Sequence, residues 1–284
     1  MPNLKSSPDA KNLFFLILIA LFIGIYLILM AILVAKDSIF YIELAQKFSS
    51  EPLFVIKAFP FGYPFLIYIT HELVSLFYPG SSVYGWIYSA QSINLLCRLL
   101  SIIPLYFTGK ILVGSRLSFF AILILVLLPV PAANGSDALR DCPQILFFAG
   151  GIFALFSGIR QNKWRQFTLA GLLTGFGYMI RPECAQIIIY GVVWFLIRFF
   201  KANDYAVKRK QICFLLALLV GFSILVVPYT IIRGQALPTK AGESIDNIEV
   251  YAAGDIPLKI SKAIIKIFNT SAECIFQVKS VPLY

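Results

Sequence analysis

Residues 13–34 read LFFLILIALFIGIYLILMAILV, an apolar run of 22 residues with no charged side chain. A helix rises about 1.5 Å per residue, so this run is long enough to cross the roughly 30 Å hydrocarbon core of a bilayer. The apolar core of a secretory signal is shorter, about 7–15 residues, and precedes a cleavage site of small residues. Because the run exceeds that length and lacks such a site, we predict a retained membrane anchor.

Similar apolar runs recur through most of the chain. Hydrophobic residues make up 59% of the 284 residues and charged residues only 13%, which is more apolar than a soluble core of this size requires. We predict an all-α integral membrane protein with about seven transmembrane helices, a membrane domain over 1–232 and an extracytoplasmic polar tail over 233–284. The predicted spans lie near residues 13–35, 84–108, 117–132, 142–159, 167–180, 185–200 and 212–232.

The charged residues predict the orientation of these spans. The net charge is +10, and the Lys and Arg residues stand in short clusters between apolar runs. A nucleic-acid-binding protein would instead gather them on one soluble face, so we expect no nucleic-acid partner. By the positive-inside rule the N-terminus is cytoplasmic, and we predict a multi-pass protein of the plasma (inner) membrane.

A further apolar run, residues 61–77, would reverse the orientation of every later span if it crossed the membrane. It would then hold His71 and Glu72 in lipid and would move the basic clusters 160–165 and 208–210 to the outside. We therefore predict an interfacial helix over 61–78, within a long first extracytoplasmic loop over 36–83.

Several carboxylates fall on the predicted outer face. Asp37 follows the first span, Asp141 opens the fourth, and Glu183 follows Arg181 in a turn between the fifth and sixth. Asp37 and Tyr41 are four residues apart and share one face of a predicted helix. Simple N-capping of a helix would also explain Asp37, and it would explain Asp141 equally well.

Three basic side chains each allow two interpretations. Arg181, near the bilayer surface, suits a bidentate contact with a lipid phosphate, but it could also be a snorkelling residue that marks the boundary. Arg98 lies well inside the second span, where a charge indicates either function or structural pairing. His71 is the single histidine. A lone surface histidine on an interfacial helix is usually incidental, so His71 is only a weak candidate for a functional role.

Common catalytic signatures are absent from the sequence. It has no Walker A loop, GxGxxG, HExxH or GxSxG motif, which argues against ATP-driven transport and common hydrolase chemistry. Its five cysteines show neither CxxC nor Cys/His metal spacing, so they predict no zinc site.

Several weak motifs follow one another in a fixed order along residues 12–232. They are Asp37-x3-Tyr41-x3-Ala45 after the first span, Gly62-Tyr63-Pro64 before the interfacial helix, Arg98 through Pro129 as paired spans, Leu139-Arg140-Asp141, and Gly171-x3-Gly175 leading into Ile180-Arg181-Pro182-Glu183. In order and spacing the chain resembles the GT-C glycosyltransferases, in particular the family 39 type that includes protein O-mannosyltransferases and aminoarabinose transferases.

The resemblance implies a sugar donor on a polyprenyl phosphate and transfer to a hydroxyl of a protein, lipid or glycan at the outer leaflet, with membrane lipid around the site. On this basis Asp37 is the expected catalytic residue, either as the general base on the acceptor or as a carboxylate that orients the acceptor. The expected substrate-binding residues are Arg181 as the phosphate clamp, Arg140 or Lys57 as its substitutes, and Glu183, Asp141, Tyr41 and Tyr63. The resemblance also leaves open a divalent metal, Mg²⁺ or Mn²⁺, held by Asp37 and Asp141.

Two alternatives stay open at this point. Many spans and the intramembrane Arg98 would also suit a transporter or lipid flippase, although the polar residues lie on one side instead of facing each other at mid-membrane. Relatives usually continue with more spans, so we also expect a C-terminally truncated chain, and an inactive relative is the second alternative.

Overall fold

The computed structural model of this chain describes residues 8–30, 36–76 and 83–234. Within these ranges every regular element is helical, and one 3₁₀ turn, Pro182–Ala185, joins α9 to α10. The α-helices are, in chain order, α1 (Pro8–Met30), α2 (Lys36–Lys47), α3 (Pro52–Ala58), α4 (Gly62–Ser75), α5 (Val83–Val113), α6 (Ser115–Leu127), α7 (Pro129–Asn134), α8 (Asp141–Gln161), α9 (Trp164–Ile180), α10 (Gln186–Lys201) and α11 (Tyr205–Arg233).

Five helical segments in the described ranges are long and apolar enough to cross a membrane. They are Asp9–Met30, Val83–Val113, Asp141–Gln161, Pro182–Lys201 and Tyr205–Arg233. These confirm the prediction of an all-α membrane fold. The other two predicted spans correspond to α6 and α9, whose lengths of 13 and 17 residues give only about 20 and 26 Å. That α6 and α9 cross the membrane completely stays a prediction.

The helices pack side by side, some pairs antiparallel and some parallel. In the first group, α1 and α6 both run antiparallel to α5, because Asn12 contacts Tyr106 and Ser118 donates to the Tyr106 carbonyl. α8 runs parallel to α5, as the contact between Phe107 and Phe153 shows.

In the second group, α9 runs antiparallel to α8 and parallel to α11. Gly158 lies against Phe167 at one end of the α8–α9 pair, and Gly177 lies against Phe147 at the other. α10 returns antiparallel to α9, since Phe195, near its C-terminal end, packs on Phe167.

Two glycines allow close contact between α9 and α11. A Cβ atom built on Gly171 would lie only 2.7 Å from the Phe222 backbone nitrogen, and one built on Gly221 would lie 3.2 Å from the Leu172 nitrogen. Small residues at such positions let two helix backbones approach directly, which is how helices associate within lipid. The α9–α11 pair is therefore a rigid support for the turn that follows α9.

The helix directions place the basic clusters at one end of the bundle, called here the basic end. It includes the N-terminal ends of α1, α6, α9 and α11 and the C-terminal ends of α5, α8 and α10. Its described basic residues are Lys11, Lys110, Arg116, Arg160, Lys163, Arg165, Arg198, Lys201, Lys208, Arg209 and Lys210, against Asp9 and Asp204. This distribution is the one that the positive-inside rule associates with the cytoplasmic side.

The predicted interfacial helix is α4, whose 14 residues give about 21 Å, short of the roughly 30 Å hydrocarbon core; its interfacial position stays a prediction. It packs through Tyr63 and Ile67 on the same core as Ala90 of α5. His71 is buried at 8% exposure, and its ring stacks on Trp86 with 3.6 Å between centroids. The expectation of a surface histidine is wrong, because α5 covers that face of α4.

Candidate functional site

A polar cluster centred on Arg181 lies at the end of the bundle opposite the basic end. Arg181 Nη1 donates to Asp141 Oδ1 at 2.7 Å and to Gln144 Oε1 at 2.8 Å. The two acceptors stand one turn apart on α8, so the same face of that helix presents both. The contacts join the C-terminal end of α9 to the N-terminal end of α8.

The local sequence explains why Arg181 leaves its helix at this point. It precedes Pro182, and a residue before proline avoids the helical region. Its backbone is extended, at φ −153° and ψ 118°, while its N–H still donates to the Gly177 carbonyl at 2.7 Å. The α9 helix therefore ends at Ile180, and the arginine side chain turns back toward α8.

The Arg181 guanidinium keeps donors beyond these two contacts. Arginine carries five N–H donors, of which Nη1 supplies two. Nε lies 3.6 Å from Glu183 Oε1, beyond ordinary hydrogen-bond length, and Nη2 donates to no side chain or carbonyl in the described ranges. The side chain is 32% exposed. Nε is buried without a hydrogen-bond partner among the described residues, so Nη2 is the nitrogen that this fixed cation keeps for a ligand.

Tyr41 connects this cluster to the first-loop helix α2. The Arg140 guanidinium lies over the Tyr41 ring, 5.9 Å from its centroid. Burial raises the pKa of the Tyr41 phenol, and four charges act on it: Asp37 and Asp141 raise the pKa further, whereas Arg140 and Arg181 lower it. Asp37 and Tyr41 are therefore within electrostatic range of the Arg181 cluster. Tyr41 stays neutral at ordinary pH, so it can hydrogen-bond but cannot act as a base.

Asp37 itself lies in the first turn of α2 with an exposed side chain. The next residue, Ser38, is fully buried and donates to Asp137 Oδ1 at 3.2 Å. Asp137 belongs to the loop that leads into Arg140 and Asp141. This contact fixes the start of α2 beside the start of α8.

Two predicted site residues lie further from the exposed cluster. Tyr63 is fully buried and packs edge-on against Tyr41, with 5.2 Å between centroids. In this conformation Tyr63 packs against Tyr41, and a direct contact between Tyr63 and the substrate stays a prediction. Lys57 is exposed on α3, whose Ile56 packs near Tyr229 at the C-terminal end of α11, so Lys57 lies at the same end of the bundle.

Arg98 is held by backbone groups. It is 7% exposed, and it donates to the Val126 carbonyl at 3.1 Å and the Ala132 carbonyl at 3.3 Å. These carbonyls flank the break between α6 and α7, where the helical hydrogen bonds are interrupted. The structural interpretation of Arg98 accounts for its burial.

The acids of the cluster do not form a metal site of three or more ligands. Within residues 8–30, 36–76 and 83–234, no group of three or more His, Cys, Asp or Glu side chains is arranged to hold an ion. Asp141 accepts from the Arg181 cation, which competes with a divalent ion for that carboxylate. The residues present do not fit a resident metal at Asp37 and Asp141.

Sequence reasoning missed Gln144, Ser38 and Asn94. Gln144 stands three residues after Asp141, a helical spacing that signals a shared face once Asp141 is singled out. Asn94, on α5, donates through Nδ2 to the backbone carbonyls of Asp137 and Leu139. No pattern in the sequence pairs Asn94 or Ser38 with that loop.

Comparison with known proteins adds a family match. A family model described as dolichyl-phosphate-mannose-protein mannosyltransferase matches residues 60–231, which is more than half of the chain. The matched segment includes Arg140, Asp141, Gln144 and Arg181, whereas Asp37 precedes it. No curated protein and no solved structure matches the chain.

Proposed function

The chain belongs to the dolichyl-phosphate-mannose-protein mannosyltransferase family, and from that membership we propose that it transfers a sugar from a polyprenyl-phosphate donor to a hydroxyl acceptor at the extracytoplasmic face. Membership supports a membrane glycosyltransferase that uses a polyprenyl-phosphate sugar. The acceptor class, the face of the membrane and the residue roles are the proposal. The observation that carries it is the Arg181 cation, fixed by Asp141 and Gln144 yet still able to donate.

Arg181 is the proposed phosphate-binding residue. When the acceptor oxygen bonds to the anomeric carbon, the bond from that carbon to the phosphate oxygen breaks, and the electron pair leaves with the polyprenyl phosphate. A fixed guanidinium aimed at this developing charge stabilises the transition state without reorganising. Asp141 and Gln144 hold Nη1, so Nη2 is the nitrogen that remains for the phosphate.

Asp37 is the proposed general base. The attacking hydroxyl must lose its proton as the new bond forms, and a carboxylate exposed at the start of α2 can accept it. Asp37 acts on the Tyr41 phenol together with Arg181 and Asp141, so base and cation belong to one electrostatic neighbourhood. Arg140, over the Tyr41 ring, adds a second positive charge there.

The charge distribution supports the outer face as the side of reaction. The eleven described Lys and Arg residues of the basic end lie opposite the Arg181 cluster. If the basic end is cytoplasmic, as the positive-inside rule favours, then the cluster opens to the extracytoplasmic side.

The test is transfer by purified full-length protein in liposomes that contain radiolabelled polyprenyl-phosphate sugars, hexoses and pentoses in turn, with added hydroxyl acceptors. We expect Arg181→Ala to lower transfer about 100-fold or more. Arg160→Ala, an exposed arginine at the basic end, is the matched control and should retain the wild-type rate. Wild-type transfer by Arg181→Ala would refute the proposed role of Arg181.

The same liposomes separate the two alternative functions. Saturable binding of polyprenyl phosphate without turnover of any donor would favour an inactive relative. Donor-independent solute flux would favour a transporter, but no described residue points to one, because Arg98 is engaged by carbonyls instead of lining a path.

A further inference from the structure

Asn94 lies under the loop that joins α7 to α8. Its side chain is fully buried on α5, and Nδ2 donates to the Leu139 carbonyl at 2.6 Å and to the Asp137 carbonyl. Because both partners are carbonyl oxygens, the amide nitrogen must be the atom between them, which fixes the orientation of the amide. One side chain therefore satisfies two backbone groups of the loop.

The polar residues of the candidate site extend from this same loop. Asp137 accepts from Ser38 at the start of α2, Arg140 covers the Tyr41 ring, and Asp141 accepts from Arg181. The two carbonyls held by Asn94 lie within the four residues that precede Asp141. A shift of this loop would move all three contacts together.

Holding the loop in this way leaves another group unsatisfied. Asn94 Oδ1 is buried and has no hydrogen-bond partner among the described residues. A buried polar atom without a partner costs free energy, and an apolar side chain of similar size would avoid that cost. The Asn94 amide thus donates to two carbonyls of the loop, while its own oxygen has no partner among the described residues.

We propose that Asn94 is a positioning residue for sugar transfer: by fixing the 137–139 backbone it keeps Arg140 and Asp141 aligned with Tyr41 and Arg181. Asn94 touches no substrate in this arrangement and acts through the loop. The proposal rests on the proposed function for its kinetic consequence, but the effect on the loop itself is independent of activity.

The kinetic test compares Asn94→Leu, which removes the donor and keeps the size, with Asn94→Asp, which in its neutral form can donate to one carbonyl. We expect kcat per folded molecule to fall about 10-fold or more in Asn94→Leu and by less in Asn94→Asp. KM for the polyprenyl-phosphate sugar should stay within about 3-fold, since the Arg181 backbone directly follows the rigid α9 and donates to its Gly177 carbonyl. A change confined to KM, or equal kcat in all three proteins, would overturn the proposal.

A second readout needs no activity. Cys142 follows Asp141 and is 5% exposed, and Cys184 in the 3₁₀ turn is 0% exposed. In a Cys97→Ala, Cys213→Ser, Cys274→Ser background, which keeps Cys142 and Cys184, we expect Asn94→Leu to speed maleimide labelling of Cys142 about 10-fold while Cys184 stays protected.

The matched control is Ser101→Ala, because Ser101 is buried on α5 and its hydroxyl, as far as the described residues go, donates only to the Arg98 carbonyl of the same helix. It should label like the wild type. If labelling of both cysteines rises in Asn94→Leu, that variant has lost its fold. The same comparison of Cys142 with Cys184 labelling in Asn94→Asp then tests the proposal. Unchanged Cys142 labelling in both variants would refute the positioning role even if the wild type transfers no sugar. Faster Cys142 labelling without any transfer would instead count against the proposed function alone.

Discussion

The carboxylate of Asp141 accepts a hydrogen bond from Arg181 at 2.7 Å, and this pair joins the first residue of α8 to the residue that follows α9. The two side chains are 39% and 32% exposed, so solvent screens the pair and its contribution to stability is small. Its importance lies in orientation, because it fixes Nη1 of a guanidinium whose Nη2 remains available.

The Arg181–Asp141 pair predicts different results for two substitutions of Asp141. Asp141→Ala removes the acceptor and should lower transfer about 10-fold. Asp141→Asn keeps an oxygen at the same position and should retain most of the rate. Initial rates of donor turnover measure both. Equally poor transfer by the two variants would show that the charge of Asp141 matters instead of the hydrogen bond that it accepts.

Substitution of Asp37 separates its two interpretations. Asparagine caps a helix as well as aspartate does, so Asp37→Asn should leave stability unchanged, whereas loss of a general base should lower kcat about 10²–10⁴-fold. Glu43→Gln, an exposed acid on the same helix α2, is the control and should transfer normally. Wild-type kcat in Asp37→Asn would assign Asp37 to capping.

Arg98 should affect folding and not transfer. Arg98→Leu leaves the buried Val126 carbonyl without its side-chain donor, which costs about 1–3 kcal/mol, whereas the Ala132 carbonyl still accepts from the Ser136 hydroxyl. We expect a lower midpoint of thermal unfolding in detergent and, per folded molecule, unchanged KM for the donor. A raised KM with unchanged unfolding would mean that Arg98 serves the substrate.

The contact between α9 and α11 should be sensitive to a side chain at Gly171. Gly171→Leu forces the two backbones apart, and overpacking of this kind costs about 1–3 kcal/mol. Gly150→Ala is the control, because a Cβ there would approach only the flexible Leu173 side chain, at 3.2 Å. Thermal aggregation of purified protein in detergent compares the two. Equal stability would mean that α9 and α11 separate without cost.

The fold could be predicted from the sequence because lipid imposes length and polarity on each span. The apolar runs predict the five long helices, and the basic clusters predict which ends lie together. The complete crossing of α6 and α9 stays a prediction, since α6 has only 13 residues between Gly114 and Leu128.

The candidate site was predictable in part. Arg181, Asp141 and Arg140 lie together because each stands at an end of a helix on the same side of the bundle, and Tyr41 contacts Arg140 from the middle of α2. Their partners were not predictable, because the contact of Asn94 with the 137–139 carbonyls depends on how α5 packs under that loop. His71 shows the same limit, since only the packing of α4 on α5 brings it to Trp86.

Sugar transfer by these residues requires that the Asp37 helix and the Arg181 turn open to one side of the membrane. Labelling of intact cells with a membrane-impermeant maleimide tests this placement. The variants are Ser50→Cys, Gln186→Cys and Lys163→Cys, each in a Cys213→Ser, Cys274→Ser background. All three positions are exposed. We expect positions 50 and 186 to label in intact cells and position 163 only after permeabilisation. Labelling of positions 50 and 186 from opposite sides of the membrane would contradict a shared site for Asp37 and Arg181.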